Sequence, residues 1–470
     1  MLSGGRPWQP AFSPDTEIEA FVQSEFGAVD LGDARLNRRV RKVAAAMARD
    51  PSWSIPHAAG SRAATKATYR LFSHPAADQE KLVEGHLQAT AVRARQETTV
   101  LAVGDTTYLN YSHHPRTRGL GKIGTRTQQA DLQGFLVHNT LAVTASGHRV
   151  LGLLHQQILV REAFQEAGED SRQIRQRPRE SQKWLTPIRP VLERLGPSCR
   201  PIFVYDREGD VFEVVEEIQD GGARFVIRAS VNRRLDAGGE TRQYLFDAIA
   251  AEPVRAHTEV PLRAGGGRPA RTARLALRAA SCNLLPPKSR GRAGAPRRVN
   301  VVLAREETPP AGVEPLEWLL LTSEPIGTGD EIVAVLGHYG GRWKVEEFHK
   351  ALKTGCRLEK RELETRERLE SLLGLMSVIA WRLLALRDAA RQDPPAPVQP
   401  ALTETQCRIL QRLDASLAGQ ATARAYLVAI AKLGGFLGRK RDGEPGWITL
   451  WRGFSRLHDI EIGFNLSQSG

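Results

Sequence analysis

Cysteine is scarce in this chain: four in 470 residues (Cys199, Cys282, Cys356, Cys407), far apart and with no CxxC pair. That pattern excludes a disulfide framework and a zinc finger, and it fits a reducing cytoplasm. Long apolar runs are missing too. None approaches the roughly 20 residues of a membrane span, so no membrane partner is expected. The opening MLSGGRPWQPAFSPDTEIEA lacks a basic flank followed by an apolar stretch, and no signal peptide is expected there. Acid is in deficit. The 53 Asp and Glu face 66 Lys and Arg, for a net charge of +13. Such an excess in a chain with 41% apolar residues points to a polyanionic partner, nucleic acid first. Only 12 of the 66 are lysine, so an arginine-heavy composition is the bland alternative. The length exceeds what one hydrophobic core serves, and about three domains are expected.

The first 90 residues read as helical. Asp33 can cap ARLNRRVRKVAAAMARD, in which Val40, Val43, Ala44 and Met47 share one face among arginines. Pro56 and Gly60 break the chain before a second helix, SRAATKATYRLFSH. From about residue 98 the period changes to that of strands: TTVLAVGDTTYLNY, GFLVHNTLAVTAS and HRVLGLLHQQILV. A helical stretch around 173–195, the strand PIFVYD, the helix DVFEVVEEIQ and the strand ARFVIRAS follow. Three hairpin strands, then helix, strand, helix, strand, is the order of a ribonuclease-H-like α/β core spanning 91–392. Within it, residues 237–315 read as an inserted β subdomain whose linkers AGGGRPAR and PPKSRGRAGAPRR are basic and flexible. EWLLLTSE returns to core strand character, and ERLESLLGLMSVIAWRLLALRDAA is a long amphipathic helix. A Pro-rich linker at 393–401 precedes a helical C-terminal domain, 402–470.

Asp105 ends the apolar strand VLAVGD, and Asp206 ends IFVYD. Strand ends hold a carboxylate still, although either acid alone could be an ordinary turn aspartate. Near residue 345, Arg342, Glu346, Lys350 and Lys353 are spaced four, four and three apart. At about 100° per residue they fall within roughly 80° of one another, with Glu347 about 100° from Glu346. One acid among three bases suits a surface for metal and phosphate, and a helix laced with ion pairs is the bland alternative. Two strand acids and one helix acid would make an oxygen cage for Mg²⁺ or Mn²⁺. Two such ions about 4 Å apart can activate a water or a 3′-hydroxyl against a phosphodiester. His113 and His114 are adjacent rather than spaced as ligands, and His138 and His155 lie inside strands. Gly119-Leu-Gly121-Lys-Ile-Gly124 fits G-x-G-x-x-G literally, but no strand leads into it and no helical pattern follows, so it reads as a basic loop.

These residues carry a resemblance. Tyr339-x-x-Arg342-x-x-x-Glu346-x-x-x-x-x-x-Lys353 is similar to the YREK signature of DDE transposases of the insertion-sequence-four family. LGDARL, GDTTYLNY, GLLHQ, YDREGD, EWLLLTSEP and AKLGGFLGRKRDG share the family's look along nearly the whole chain. The resemblance implies that Asp105, Asp206 and Glu346 are the catalytic triad holding two metal ions, Mg²⁺ or also Mn²⁺. It implies that Tyr339, Arg342 and Lys353 grip transposon-end phosphates around a flipped base, and that Trp318 stacks on that base. Arg39 and Arg70 fall where end-binding arginines lie. The implied partners are double-stranded DNA, as terminal inverted repeats and as target, and a second copy of the chain in a homodimer on paired ends. A structure-specific nuclease of the same fold would keep the acids without Trp318 or an end-binding domain, and a transposase-derived DNA-binding protein would tolerate their loss.

Overall fold

The computed structural model describes residues 14–49, 51, 54–124, 131–161, 180–236, 243–262, 270–287, 294–391, 402, 404–419, 422–439 and 442–468. Most of AGGGRPAR, the middle of PPKSRGRAGAPRR, the Pro-rich linker at 393–401 and the start of the helix expected from 173 lie outside the described residues.

Five helices come first: α1 (Pro14–Phe26), α2 (Ala34–Arg49), α3 (Ile55–Ala59), α4 (Arg62–Phe72) and α5 (Gln79–Ala94). Asp33 takes up its cap, with Oδ1 accepting the Arg35 N–H at 2.6 Å. The expected face of α2 is buried: Val40, Val43, Ala44 and Met47. Pro56 does not simply break the chain. It sits in the first turn of α3, where its missing N–H costs nothing, behind the Ser54 cap. Gly60 ends that helix in a left-handed conformation, φ 69°.

Twelve strands form one sheet: β1 (Val100–Asn110), β2 (Gly121–Lys122), β3 (Gln133–Thr144), β4 (Val150–Leu159), β5 (Ile202–Tyr205), β6 (Arg224–Arg228), β7 (Arg234–Leu235), β8 (Gln243–Tyr244), β9 (Val254–Leu262), β10 (Arg271–Leu284), β11 (Arg297–Glu306) and β12 (Glu317–Thr322). β4, β3 and β1 are antiparallel neighbours, and β5 and β6 follow parallel to β1, which is the expected core order. The strands of the inserted 237–315 stretch pair directly onto the core sheet. β12 pairs with β6 on one edge and with β11 on the other, so Leu320 faces both Arg228 and Val302, and β10 and β9 continue outward. The insertion thus lengthens the core sheet.

Side chains alternate across this sheet and build two cores. Val100, Ala102, Phe203 and Tyr205 pack under α6 (Gln182–Leu185), α7 (Ile188–Leu195), α8 (Phe212–Asp220) and α9 (Leu245–Ala250). Leu101, Val103, Ile202 and Val204 point the other way. There they meet the N-terminal helices together with α10 (Gly329–Gly340), α11 (Trp343–Lys350) and α12 (Arg366–Arg391). α5 packs on β4 and α12. The C-terminal helices α13 (Glu404–Leu413), α14 (Ala423–Leu433) and α15 (Trp447–Gln468) share a small core around Ile409, Tyr426, Ile430 and Leu457. They also reach the helices on this face of the sheet: α14 packs on α12, α15 on residues 351–355, and the Arg387 guanidinium lies 4.2 Å over the Trp447 ring. No helix of the described residues is long and apolar enough to cross a membrane.

Candidate active site

The parity of the strands decides where the two aspartates point. β1 and β5 run parallel with Val103 opposite Val204. Asp105 and Asp206 each stand two residues further on, so they emerge side by side on the face of Val103 and Val204, the face covered by α11. The Thr106 N–H donates to Asp105 Oδ1 at 2.7 Å. Asp206 caps the short turn Arg207–Gly209, its Oδ1 accepting the Glu208 N–H at 2.8 Å. Burial, and then the charge of Asp206, push the Asp105 carboxyl up to about 7. Burial likewise raises Asp206. Two carboxylates this close, short of water, call for positive charge between them.

Glu346 arrives from α11. The chain breaks at Gly340-Gly341, where a Cβ on Gly341 would sit 2.6 Å from Leu101 Cδ1, so only glycine lets the turn lie against β1. Arg342 opens α11, with Nη2 2.7 Å from Glu346 Oε1 and Nη1 3.6 Å from Asp105 Oδ2. The bland ion pair is therefore present, and it joins the helix acid to the strand acid. Glu347 points away, as its phase requires. It pairs with Arg387 of α12 at 2.5 Å and with Lys344 at 3.5 Å.

The single helical face expected for Arg342, Glu346, Lys350 and Lys353 does not persist. Residues Ala351–Gly355 form a π-turn, closed by the Cys356 N–H donating to the Ala351 carbonyl at 2.9 Å. The wider turn shifts Lys353 out of the α-helical phase. Its Nζ lies 3.9 Å from Glu359 Oε1, and burial pushes its ammonium below the ordinary lysine value. Lys350 is exposed.

Aromatic rings gather beside Arg342. Trp318, on the strand face shared with Leu320, is half-buried, with its ring centroid 6.2 Å from that of buried Tyr339 at an interplanar angle of 56°. The Arg342 guanidinium sits 6.0 Å from the Tyr339 ring and 4.8 Å over the Trp343 ring. Trp343, 58% exposed, escaped the sequence reading. Its signal was an aromatic residue next to Arg342 at a helix start, where no core face would claim it. Arg39 is half-buried on α2, and Arg70 is exposed in the last turn of α4, so these two stand on elements other than those carrying the acids.

Residues 18–77 match the family described as transposase DNA-binding, and residues 183–383 match the transposase DDE domain. The chain carries a transposase DNA-binding domain and a transposase DDE domain. Together they support a DNA-cleaving transposase. Arg39 and Arg70 lie within the DNA-binding match. Asp206, Trp318, Tyr339, Arg342, Glu346 and Lys353 lie within the DDE match, and Asp105 precedes it on β1.

DDE domains generally use divalent metal ions. Among the described residues no three His, Cys, Asp or Glu side chains are gathered closely enough to hold one. The donor set nevertheless fits a hard cation. Asp105 and Asp206 supply carboxylate oxygens, and burial together with their mutual repulsion raises Asp105, which a cation bound between them would relieve. Arg342 supplies that charge here, lying between Asp105 and Glu346. The histidines set aside in the sequence stay outside this set. His113 and His114 both place Nε2 3.0 Å from the Glu359 carbonyl oxygen, and His138 Nδ1 lies 2.9 Å from Thr106 Oγ1. Gly121, in the G-x-G-x-x-G stretch, is part of edge strand β2, and no helix opens before residue 125.

Proposed function

We propose that the chain is a cut-and-paste DNA transposase of the insertion-sequence-four kind, with Asp105, Asp206 and Glu346 as its catalytic acids. The observation that carries this reading is their placement: two parallel strand ends and one helix deliver three carboxylates to one side of the sheet, with Arg342 paired to Asp105 and to Glu346. The three would hold two Mg²⁺ or Mn²⁺ ions, which polarise the attacking oxygen and the scissile phosphate when bound. A divalent cation would compete with the Arg342 guanidinium for the acids, and a bound DNA phosphate would offer that guanidinium another partner and so strengthen the cation's hold.

The N-terminal domain, with Arg39 and Arg70, binds the terminal inverted repeats. Hydrolysis of one strand leaves a 3′-hydroxyl, which attacks the opposite strand to close a hairpin on the element's end. Water reopens the hairpin, and the same hydroxyl then joins target DNA. A hairpin strains the terminal bases, and Trp318 beside Tyr339 offers a π-face for one turned out of the stack, with Arg342 and Lys353 on the neighbouring phosphates. Each active site breaks one strand at a time, so two protomers pair the two ends. Leu437 and Ile462, 66% and 44% exposed in the C-terminal segment, suit such a contact.

The test is incubation with Mg²⁺ and a labelled duplex bearing the inverted repeats that flank the gene. Denaturing gels should show a nick at the repeat boundary, then a hairpin. Cleavage governed by branched structure, without regard to the repeats, would replace this reading with a nuclease.

A further inference from the structure

Asp105 on β1 stands opposite Asn139 on β3, and Asn139 stands opposite Gln156 on β4. Residues directly opposite in antiparallel strands point to the same face, so the strand acid heads a row whose next two members are amides. Both amides are deep in the protein: Asn139 is 0% exposed and Gln156 5%. Their hydrogen bonds run in one direction. Gln79 Nε2 donates to Gln156 Oε1 at 2.8 Å, Gln156 Nε2 to Asn139 Oδ1 at 2.7 Å, and Asn139 Nδ2 to His349 Nε2 at 3.0 Å. Gln156 Nε2 also reaches Ser377 Oγ on α12 at 2.9 Å. Each amide is oriented by its neighbour, and the chain ends at an imidazole nitrogen that must accept.

His349 lies on α11, three residues after Glu346. Gln79 is the first residue of α5, two residues beyond the matched DNA-binding domain. The chain therefore spans from the end of that domain, across the sheet, to the helix that carries the third acid. We propose that His349, acting through Asn139 and Gln156, is the positioning residue that fixes Glu346 over Asp105 and ties that spacing to the start of α5. This rests on the assignment of Asp105 and Glu346 as catalytic acids. Burial, and then the nearby Lys353 charge, hold His349 down at about 3, so its ring is neutral and free to accept. One-way chains of this kind polarise and stiffen one another, and a half-broken chain leaves buried amides unsatisfied.

The experiment uses the full-length chain as His349→Leu, Asn139→Leu, the double variant and His349→Gln, whose side-chain oxygen can replace the accepting nitrogen. Cleavage of the repeat-bearing duplex at saturating DNA should fall roughly tenfold to a hundredfold in His349→Leu, with DNA affinity unchanged. His349→Gln should recover most of the rate. The double variant should lose no more than the worse single variant, because both break one chain. Mn²⁺ titrated against the DNA-free protein by electron paramagnetic resonance should bind His349→Leu about ten to a hundred times more weakly. Unchanged Mn²⁺ affinity in His349→Leu, losses that multiply in the double variant, or a His349→Gln as slow as His349→Leu would each overturn the proposal. If the wild type cleaves nothing, the functional reading fails, and the Mn²⁺ titration still decides the positioning role.

Discussion

Gly104 separates the two strand acids from the packing that sets their distance, and Gly104→Ala should show how narrow that distance is. A Cβ added there would lie 2.5 Å from Tyr205 Cε1, 3.0 Å from Tyr205 Cδ1 and 3.4 Å from His138 Nε2. Ordinary carbon contacts are about 3.5–4.0 Å, so the Tyr205 ring must retreat by roughly 1 Å. It has little room. The ring is fully buried, 4.9 Å edge-on to Trp184 and 5.9 Å from Phe203. Gly104 does not use a positive φ, so alanine brings no backbone strain of its own and the cost is steric. Overpacking of this kind costs about 1–3 kcal/mol. Tyr205 precedes Asp206 directly, so the same displacement moves an acid relative to Asp105. A misplacement of about 1 Å can cost on the order of a hundredfold in rate. The assay is single-turnover cleavage of the repeat-bearing duplex beside urea unfolding of the same preparation. The unfolding midpoint should fall, the cleavage rate should fall further than the lost stability explains, and DNA binding should persist. A Gly104→Ala protein that unfolds and cleaves like the wild type would refute the packing argument.

Trp318→Ala should still nick the end but accumulate nicked or hairpin DNA, because only the extruded base needs the ring; normal double-strand release would leave Trp318 a packing residue. Asp105 is raised to about 7, so in the metal-free fold it gives stability below its unfolded value near 3.8 that is lost as pH rises through about 7. A divalent ion that replaces this proton should therefore raise the melting temperature more at pH 8 than at pH 6, and an Mn²⁺ effect independent of pH would argue against Asp105 as a ligand. Leu437→Glu combined with Ile462→Glu should abolish the paired-end complex in a gel shift while single-end binding persists; unimpaired pairing would place the dimer contact elsewhere.

Much of the site was legible because it obeys local periods. Asp105 and Asp206 follow short apolar runs that read as strands, and their parity with Val103 and Val204 fixes the face they share. The turn of Glu347 away from Glu346 follows from helical phase alone, and Arg387 receives it. What escaped depends on partners distant in sequence. Nothing in EWLLLT tells that one edge will take β6 and the other β11, so the inserted β subdomain did not read as a continuation of the core sheet. The π-turn at Ala351–Gly355 breaks the phase that placed Lys353 beside Glu346, and it is written in hydrogen bonding rather than composition. Asn139 and Gln156 read as polar interruptions in apolar strands, and their common chain to His349 needs three strands and a helix in place.

The central claim is that Asp105, Asp206 and Glu346 act as one unit, and a comparison of alanine variants tests it most directly. Glu347 is the internal control. Removing it takes one charged partner from the buried Arg387 guanidinium and should cost about 1–3 kcal/mol of stability while leaving the chemistry in place. Single-turnover Mg²⁺-dependent cleavage of end DNA should vanish in Asp105→Ala, Asp206→Ala and Glu346→Ala, each still binding the ends, and survive in Glu347→Ala where the protein stays folded. Cleavage by Glu346→Ala, with its loss in a folded Glu347→Ala, would contradict the account.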